Sequence, residues 1–317
     1  MNKEFGGYFE ISIDEKHPYH KNAVKLNTGR NCFEYILLTN KTKRVFIPYY
    51  TCEVMLEPLE RNNIEYEFYS LNEDLSPVIP NQINSGEAFL YTNYFGVKEK
   101  LVRELSTKLD NLIIDSTMAF YAKPVQNVPS FNSVRKFFGV PDGAYLFTDK
   151  KLETEPEDSY SHDKMLHLFK RIEVGANEAY GDFLANDHAL YNQPVRKMSE
   201  ISKLIMAGVD QLKYKFIRER NFLFLHHTLE KYNELQIDIS DLNGPMFYPF
   251  LFDAETLRSK LIQNKIYVPR LWKNALKTAK EQSFEHYLTD KLFALPIDQR
   301  YSLDDMQFIL NTIGLNN

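Results

Sequence analysis

Residues 111–148 read NLIIDSTMAFYAKPVQNVPSFNSVRKFFGVPDGAYLFT, and the parsing of this stretch decides the fold. The apolar run Leu112-Ile113-Ile114 predicts a buried strand that ends on a carboxylate, Asp115. Pro129 to Ser133 predicts a second, short strand leading into a basic pair, Arg135-Lys136. The turn Val140-Pro141-Asp142-Gly143 then returns the chain into a third strand, Ala144 to Phe147. An acid at a strand end, with a hydroxyl and an amine close by, is a set of groups suited to organic cofactor chemistry.

Upstream, Leu26-Asn27-Thr28-Gly29-Arg30-Asn31 forms a glycine turn, and Phe33, Ile36 and Leu37 then recur at helical spacing. The N-terminus of that helix offers free backbone N–H groups and the positive end of the helix dipole, which suits a phosphate. Arg44 to Pro48 predicts a strand and Thr51 to Arg61 a helix. Glu65 to Ser70 and Glu87 to Thr92 predict two more strands, and Val97 to Leu109 an amphipathic helix. This alternation predicts an α/β fold with a mostly parallel sheet covered by helices on both faces. Ligands of such sheets collect beyond the carboxyl ends of the strands. Thr28-Gly29, Tyr50-Thr51, Tyr94 and Asp115 all fall at those ends.

In chain order these segments resemble the DegT/DnrJ/StrS family of sugar aminotransferases, within the fold type I pyridoxal phosphate enzymes. The resemblance is carried by TGRN at 28–31, IPYYTCEVMLEPLE at 47–60, TNYFG at 92–96 and Asp115. It continues through PSFNSVRK at 129–136, LYNQPVRKMSE at 190–200 and LFALPIDQRYSLDDMQFIL at 292–310, and so spans nearly the whole chain. It implies a mostly parallel sheet of the seven-stranded type, covered by helices, and a smaller C-terminal α/β domain. The divisions it implies are an N-terminal arm over 1–25, a large domain over 26–240 and a small domain over 241–317. Within the arm, Gly6-Gly7-Tyr8-Phe9-Glu10 is similar to a family segment that lies across the site, and packing on a neighbouring subunit is an equal reading.

The resemblance also implies a site for pyridoxal 5'-phosphate, or its pyridoxamine form. Asp115 would pair with the pyridine nitrogen, while Thr28, Gly29, Arg30 and Ser130 would hold the phosphate. Cys52 stands where the family has an aromatic residue stacked on the ring, which leaves Tyr50 as the candidate for stacking. Met118 replaces a glutamine that covers the ring, and Asn192 is the nearest match to an asparagine that reaches the phosphate of the neighbouring subunit. Arg270 and Trp272 fall where family members place substrate contacts.

The Schiff-base position has two readings. Arg135 lies five residues after Ser130 and seven before Asp142, the intervals at which the family places its lysine. An arginine stays protonated and cannot be the amine nucleophile. Either Lys136 takes the role through a shift of one residue, or the chain is a non-catalytic relative that binds a ligand or partner without transamination. The catalytic reading is amino transfer to a keto sugar, nucleotide-linked, from an amino-acid donor such as glutamate, in amino-sugar or surface polysaccharide synthesis. A homodimer is implied, because the family builds each site from two chains.

In the second half, Ser161 to Ala185 predicts a helix, and Met198, Ile201, Leu204, Ile205, Leu212, Phe216 and Leu223 mark a long one. That apolar stripe suits a core or a dimer contact. Strands are predicted at Phe247 to Phe252, Ile266 to Val268 and Leu292 to Pro296. Helices are predicted at Ala254 to Asn264, Phe284 to Lys291 and Ser302 to Ile313, the last opened by a Ser302/Asp305 capping box.

The totals bound the function classes. A length of 317 residues with 44% hydrophobic and 26% charged side chains fits one large α/β domain or a large and a small one. A net charge of −5 leaves no basic footprint for nucleic acid. Cys32 and Cys52 make no disulfide framework, so a cytoplasmic setting is expected, and no apolar run is long enough for a membrane span. The His17/His20 and His226/His227 pairs have no neighbouring thiol or carboxylate cluster, so no metal centre is expected.

Overall fold

The computed structural model describes residues 5–315. Its main sheet has seven strands: β1 (Val24–Leu26), β2 (Arg44–Pro48), β3 (Glu65–Tyr69), β4 (Glu87–Thr92), β5 (Leu112–Ser116), β6 (Ser130–Asn132) and β7 (Ala144–Phe147), in the order β1-β7-β6-β5-β4-β2-β3. Strands β2 to β6 run parallel, and only β7 is antiparallel to its neighbours. All five residues of β5 are buried, as an apolar run at the centre of a doubly covered sheet requires.

Alternation along β5 sorts the core into two layers. Ile113 faces helix α1 (Gly29–Asn40), with Phe33, Ile36, Leu90 and Phe131. Leu112 and Ile114 face a larger cluster on the other side, which includes Phe89, Tyr91, Phe222 and Leu225. Between the strands lie α2 (Glu57–Arg61) and α3 (Glu99–Lys108). The expected helix over 51–61 is reduced to α2, preceded by a 3-10 turn at Glu53–Met55, because Pro58 fits only the first turn of a helix.

The two long helices of the second half are each broken. Residues 161–185 hold α4 (Leu166–Glu173) and α5 (Ala176–Ala189), separated at Gly175, whose φ of +93° no helix accommodates. The stripe from Met198 is divided into α6 (Glu200–Gly208) and α7 (Gln211–Leu229), because the Asp210 carboxylate accepts from Lys213 N at 3.0 Å and starts a new helix. Leu212 and Phe216 of that stripe are exposed on this chain.

A second sheet pairs β8 (Tyr248–Leu251) antiparallel with β9 (Leu292–Leu295). Around it stand α8 (Leu257–Gln263), α9 (Ala275–Thr278), α10 (Phe284–Lys291) and α11 (Leu303–Ile313), and the Ser302/Asp305 capping box opens α11. The strand expected at 266–268 does not form. Ile266 and Val268 are buried without a ladder, and the Val268 carbonyl accepts from Arg258 Nη1 at 3.0 Å instead. Residues 6–10 hold no helix or strand, and Tyr8 and Phe9 are fully exposed. The chain docks further on, where Tyr19 Oη donates to the Tyr121 carbonyl at 3.1 Å and His20 Nε2 meets the Phe120 carbonyl at 2.6 Å. Among the described residues no helix is long and apolar enough to cross a membrane.

Candidate active site

The carboxyl end of β5 meets the N-terminus of α1. Thr28 caps the helix, its Oγ1 accepting from Asn31 N at 3.2 Å. Gly29 follows, and a Cβ there would lie 3.0 Å from Thr117 Cγ2, so the helix start is seated against the residue two beyond Asp115. Asp115 is 4% exposed, and its Oδ1 accepts from Thr117 N at 2.8 Å. Burial raises the pKa of this carboxyl above its ordinary value, while the Lys136 charge and the Thr117 hydrogen bonds pull the other way.

Lys136 arrives from the loop after β6. Its Nζ donates to Thr117 Oγ1 at 3.1 Å. Burial raises the Cys52 thiol, and the Lys136 charge is the largest influence opposing that rise, as it is at Asp115. Arg135, the neighbouring cation, goes elsewhere: its guanidinium meets Asp187 of α5 at 3.2 Å.

The other residues singled out in the sequence have different settings. Arg30 pairs with Glu57 at 2.5 Å, with both side chains about nine-tenths buried, and lies over the Tyr191 ring. Asn192, itself exposed, joins the same network, its N–H donating to Glu57 Oε2 at 2.9 Å and its Oδ1 accepting from Arg61 Nη1 at 2.7 Å. Ser130 is in register with Ile114 and so shares the face opposite Asp115, where it lines a cavity with Ser116 and Asn132. Tyr50 is fully buried between Tyr94 and Trp272, its hydroxyl lacks a partner among the described residues, and burial drives its pKa far up. Met118 is 2% exposed within the same large cluster as Tyr50. Arg270 pairs with Asp290 at 3.1 Å. Among the described residues no group of three or more His, Cys, Asp or Glu is placed to hold a metal ion.

Solved structures share this arrangement of sheet and helices. The sugar aminotransferase CalS13 from Micromonospora echinospora superposes with a TM-score of 0.65 at 13% identity, over 92% of this chain and 86% of that one. A DegT DnrJ EryC1 StrS aminotransferase from Brucella abortus gives 0.59 at 13% identity, over 94% and 85%. The chain has the sugar aminotransferase fold. The E. coli GDP-4-keto-6-deoxy-D-mannose-3-dehydratase with bound hydrated PLP shares it too, with a TM-score of 0.61 at 13% identity over 94% and 88%. The chain matches no protein-family profile and no curated protein sequence. At these identities the likeness is one of fold, and the sugar aminotransferase fold puts a strand-end acid and a helix N-terminus on one rim here.

Thr117 is the residue that sequence reasoning missed. Its contact with Asp115 is a local turn, but those with Lys136 and Gly29 come from two distant segments, and no local pattern carries that information. The one available signal was its position two residues after the strand-end acid.

Proposed function

We propose that this chain is a pyridoxal phosphate-dependent aminotransferase acting on a keto sugar. The observation that supports it most is the convergence of the Lys136 amine and the Asp115 carboxylate on Thr117, beside the first turn of α1. This donor set suits the cofactor. Asp115, buried and ionisable, would hold the pyridine nitrogen protonated. Thr28 and the free amides of the first turn of α1 would take the phosphate, and Lys136 would bond the aldehyde carbon. Bound there, the cofactor supplies an electron sink for the carbon that carries the amino group. Released from that bond, Lys136 would hold the proton that moves to and from that carbon, and its exposure lets it reach a substrate outside the sheet.

The finer reading is a nucleotide-linked sugar and an amino-acid donor, in amino-sugar or surface polysaccharide synthesis. It includes a homodimer in the cytoplasm and the division into an arm over 1–25, a large domain over 26–240 and a small domain over 241–317. A non-catalytic relative is the second reading, favoured by Ser130 lying on the face opposite Asp115 and by the Arg30–Glu57 pair.

The test is borohydride reduction of purified protein with added pyridoxal phosphate, followed by peptide mapping. Adduct concentrated on Lys136, absent in Lys136→Ala and retained in Arg135→Gln, is the expected result. Adduct scattered over surface lysines would overturn the aminotransferase reading in favour of the second one.

A further inference from the structure

We infer that Thr117 is a positioning residue that ties the Lys136 amine to the Asp115 carboxylate, an inference that rests on the reading just given. Each of its groups has a separate task. The N–H donates to Asp115 Oδ1 at 2.8 Å, and the hydroxyl oxygen accepts from Lys136 Nζ at 3.1 Å. The methyl abuts Gly29, where a Cβ would lie 3.0 Å away. Thr117 is itself 6% exposed, so its own position is fixed by packing.

Lys136 has no such support. Its side chain is exposed, and among the described residues Thr117 is its only hydrogen-bond partner. A free lysine samples many rotamers, and one acceptor on a rigid strand end selects those directed at the acid. The contact joins segments 19 residues apart, so it also sets the loop after β6 against β5. A threonine performs all three tasks, whereas serine lacks the methyl and valine lacks the acceptor.

The test compares Thr117→Val, Thr117→Ala and Thr117→Ser with the wild-type chain, all without cofactor. A small neutral acylating reagent is applied across pH 7–10, and the labelling rate of each lysine is read by peptide mass spectrometry. The hydroxyl holds the amine against the strand end, so its loss in the Val and Ala variants frees the side chain and speeds Lys136 labelling about threefold. Thr117→Ser keeps the wild-type rate, and the other lysines do not change. If Thr117→Val does not fold, the Ala–Ser comparison carries the result. Equal rates in all chains, or equal changes in Ser and Val, would overturn the inference, because the hydroxyl would then have no part in holding the amine. The assay contains no pyridoxal phosphate, so its failure is distinct from a failure of reductive trapping at Lys136.

Discussion

Arg135 and Asp187 form an ion pair at 3.2 Å, which commits the cation beside Lys136 to helix α5. The Arg135 side chain is only 16% exposed, and burial lowers its pKa while Asp187 opposes that shift. An amine placed at 135 keeps the same partner, Asp187 of α5. On the proposed function, Arg135→Lys is therefore expected to leave the reduced pyridoxal phosphate adduct on Lys136, although it puts a lysine at the interval from Ser130 and Asp142 found in the DegT/DnrJ/StrS family. Adduct on residue 135 in that variant would show that chain spacing, and not the Thr117 contact, sets the reactive position. Asp187 is half exposed, so Asp187→Asn is expected to cost only about 1 kcal/mol in urea unfolding.

Glu99, in the first turn of α3, has its carboxyl pushed up to about 7 by burial, although Asn243 Nδ2 donates to it at 2.9 Å. Asp241 adds to the rise, and Arg103 and Lys215 oppose it. Between the ordinary value of 4.5 and 7 the folded chain binds more protons than the unfolded one. Its contribution to stability is therefore complete below 4.5 and is lost as pH rises through 7. Glu99→Gln removes this dependence and keeps an acceptor for Asn243. The variant is expected to be more stable than wild type by about 1–2 kcal/mol at pH 8 and no more stable at pH 4. Urea midpoints at the two pH values decide it, and a constant difference would assign the effect to packing.

Most of the main sheet was legible because its strands are continuous apolar or alternating runs closed by turn residues. Strands β2 and β4 have the bounds that their residues predict. The helices of the second half were less legible, since a break such as that at Gly175 or Asp210 is a local event inside a longer apolar period. Ile266 to Val268 alternates like a strand, yet β8 pairs with β9, some forty residues further along, and packing alone buries the alternating residues. At the candidate site, Asp115 could be found because a buried strand ending on an acid is a pattern. The setting of Ser130 could not, because a single position of register decides which face it takes.

Gly96 supports the rim from the side of β4. Its φ is +79°, and a Cβ would lie 3.0 Å from the Met118 carbonyl oxygen and 3.1 Å from Pro245 Cα. Both neighbours are backbone atoms, so no rotamer change relieves the contact. Gly96→Ala is expected to lower stability by about 2–3 kcal/mol, read from urea unfolding. A loss below about 0.5 kcal/mol would mean that the turn after β4 repacks.

The Arg30–Glu57 pair couples α1 to α2 and, through the Asn192 N–H on Glu57, to the loop before α6. Both charges are buried, so removing one strands the other. Arg30→Gln and Glu57→Gln are each expected to cost about 3 kcal/mol, and the double variant clearly less than the sum, with a coupling of about 1–2 kcal/mol. The same cycle tests the guanidinium's part in phosphate binding. If Glu57 holds Arg30 away from the first turn of α1, Glu57→Gln frees the cation and tightens inorganic phosphate binding, and the double variant loses the gain. Unchanged phosphate affinity in all three variants would leave the backbone amides of α1 as the anion site and Arg30 as a structural partner of Glu57.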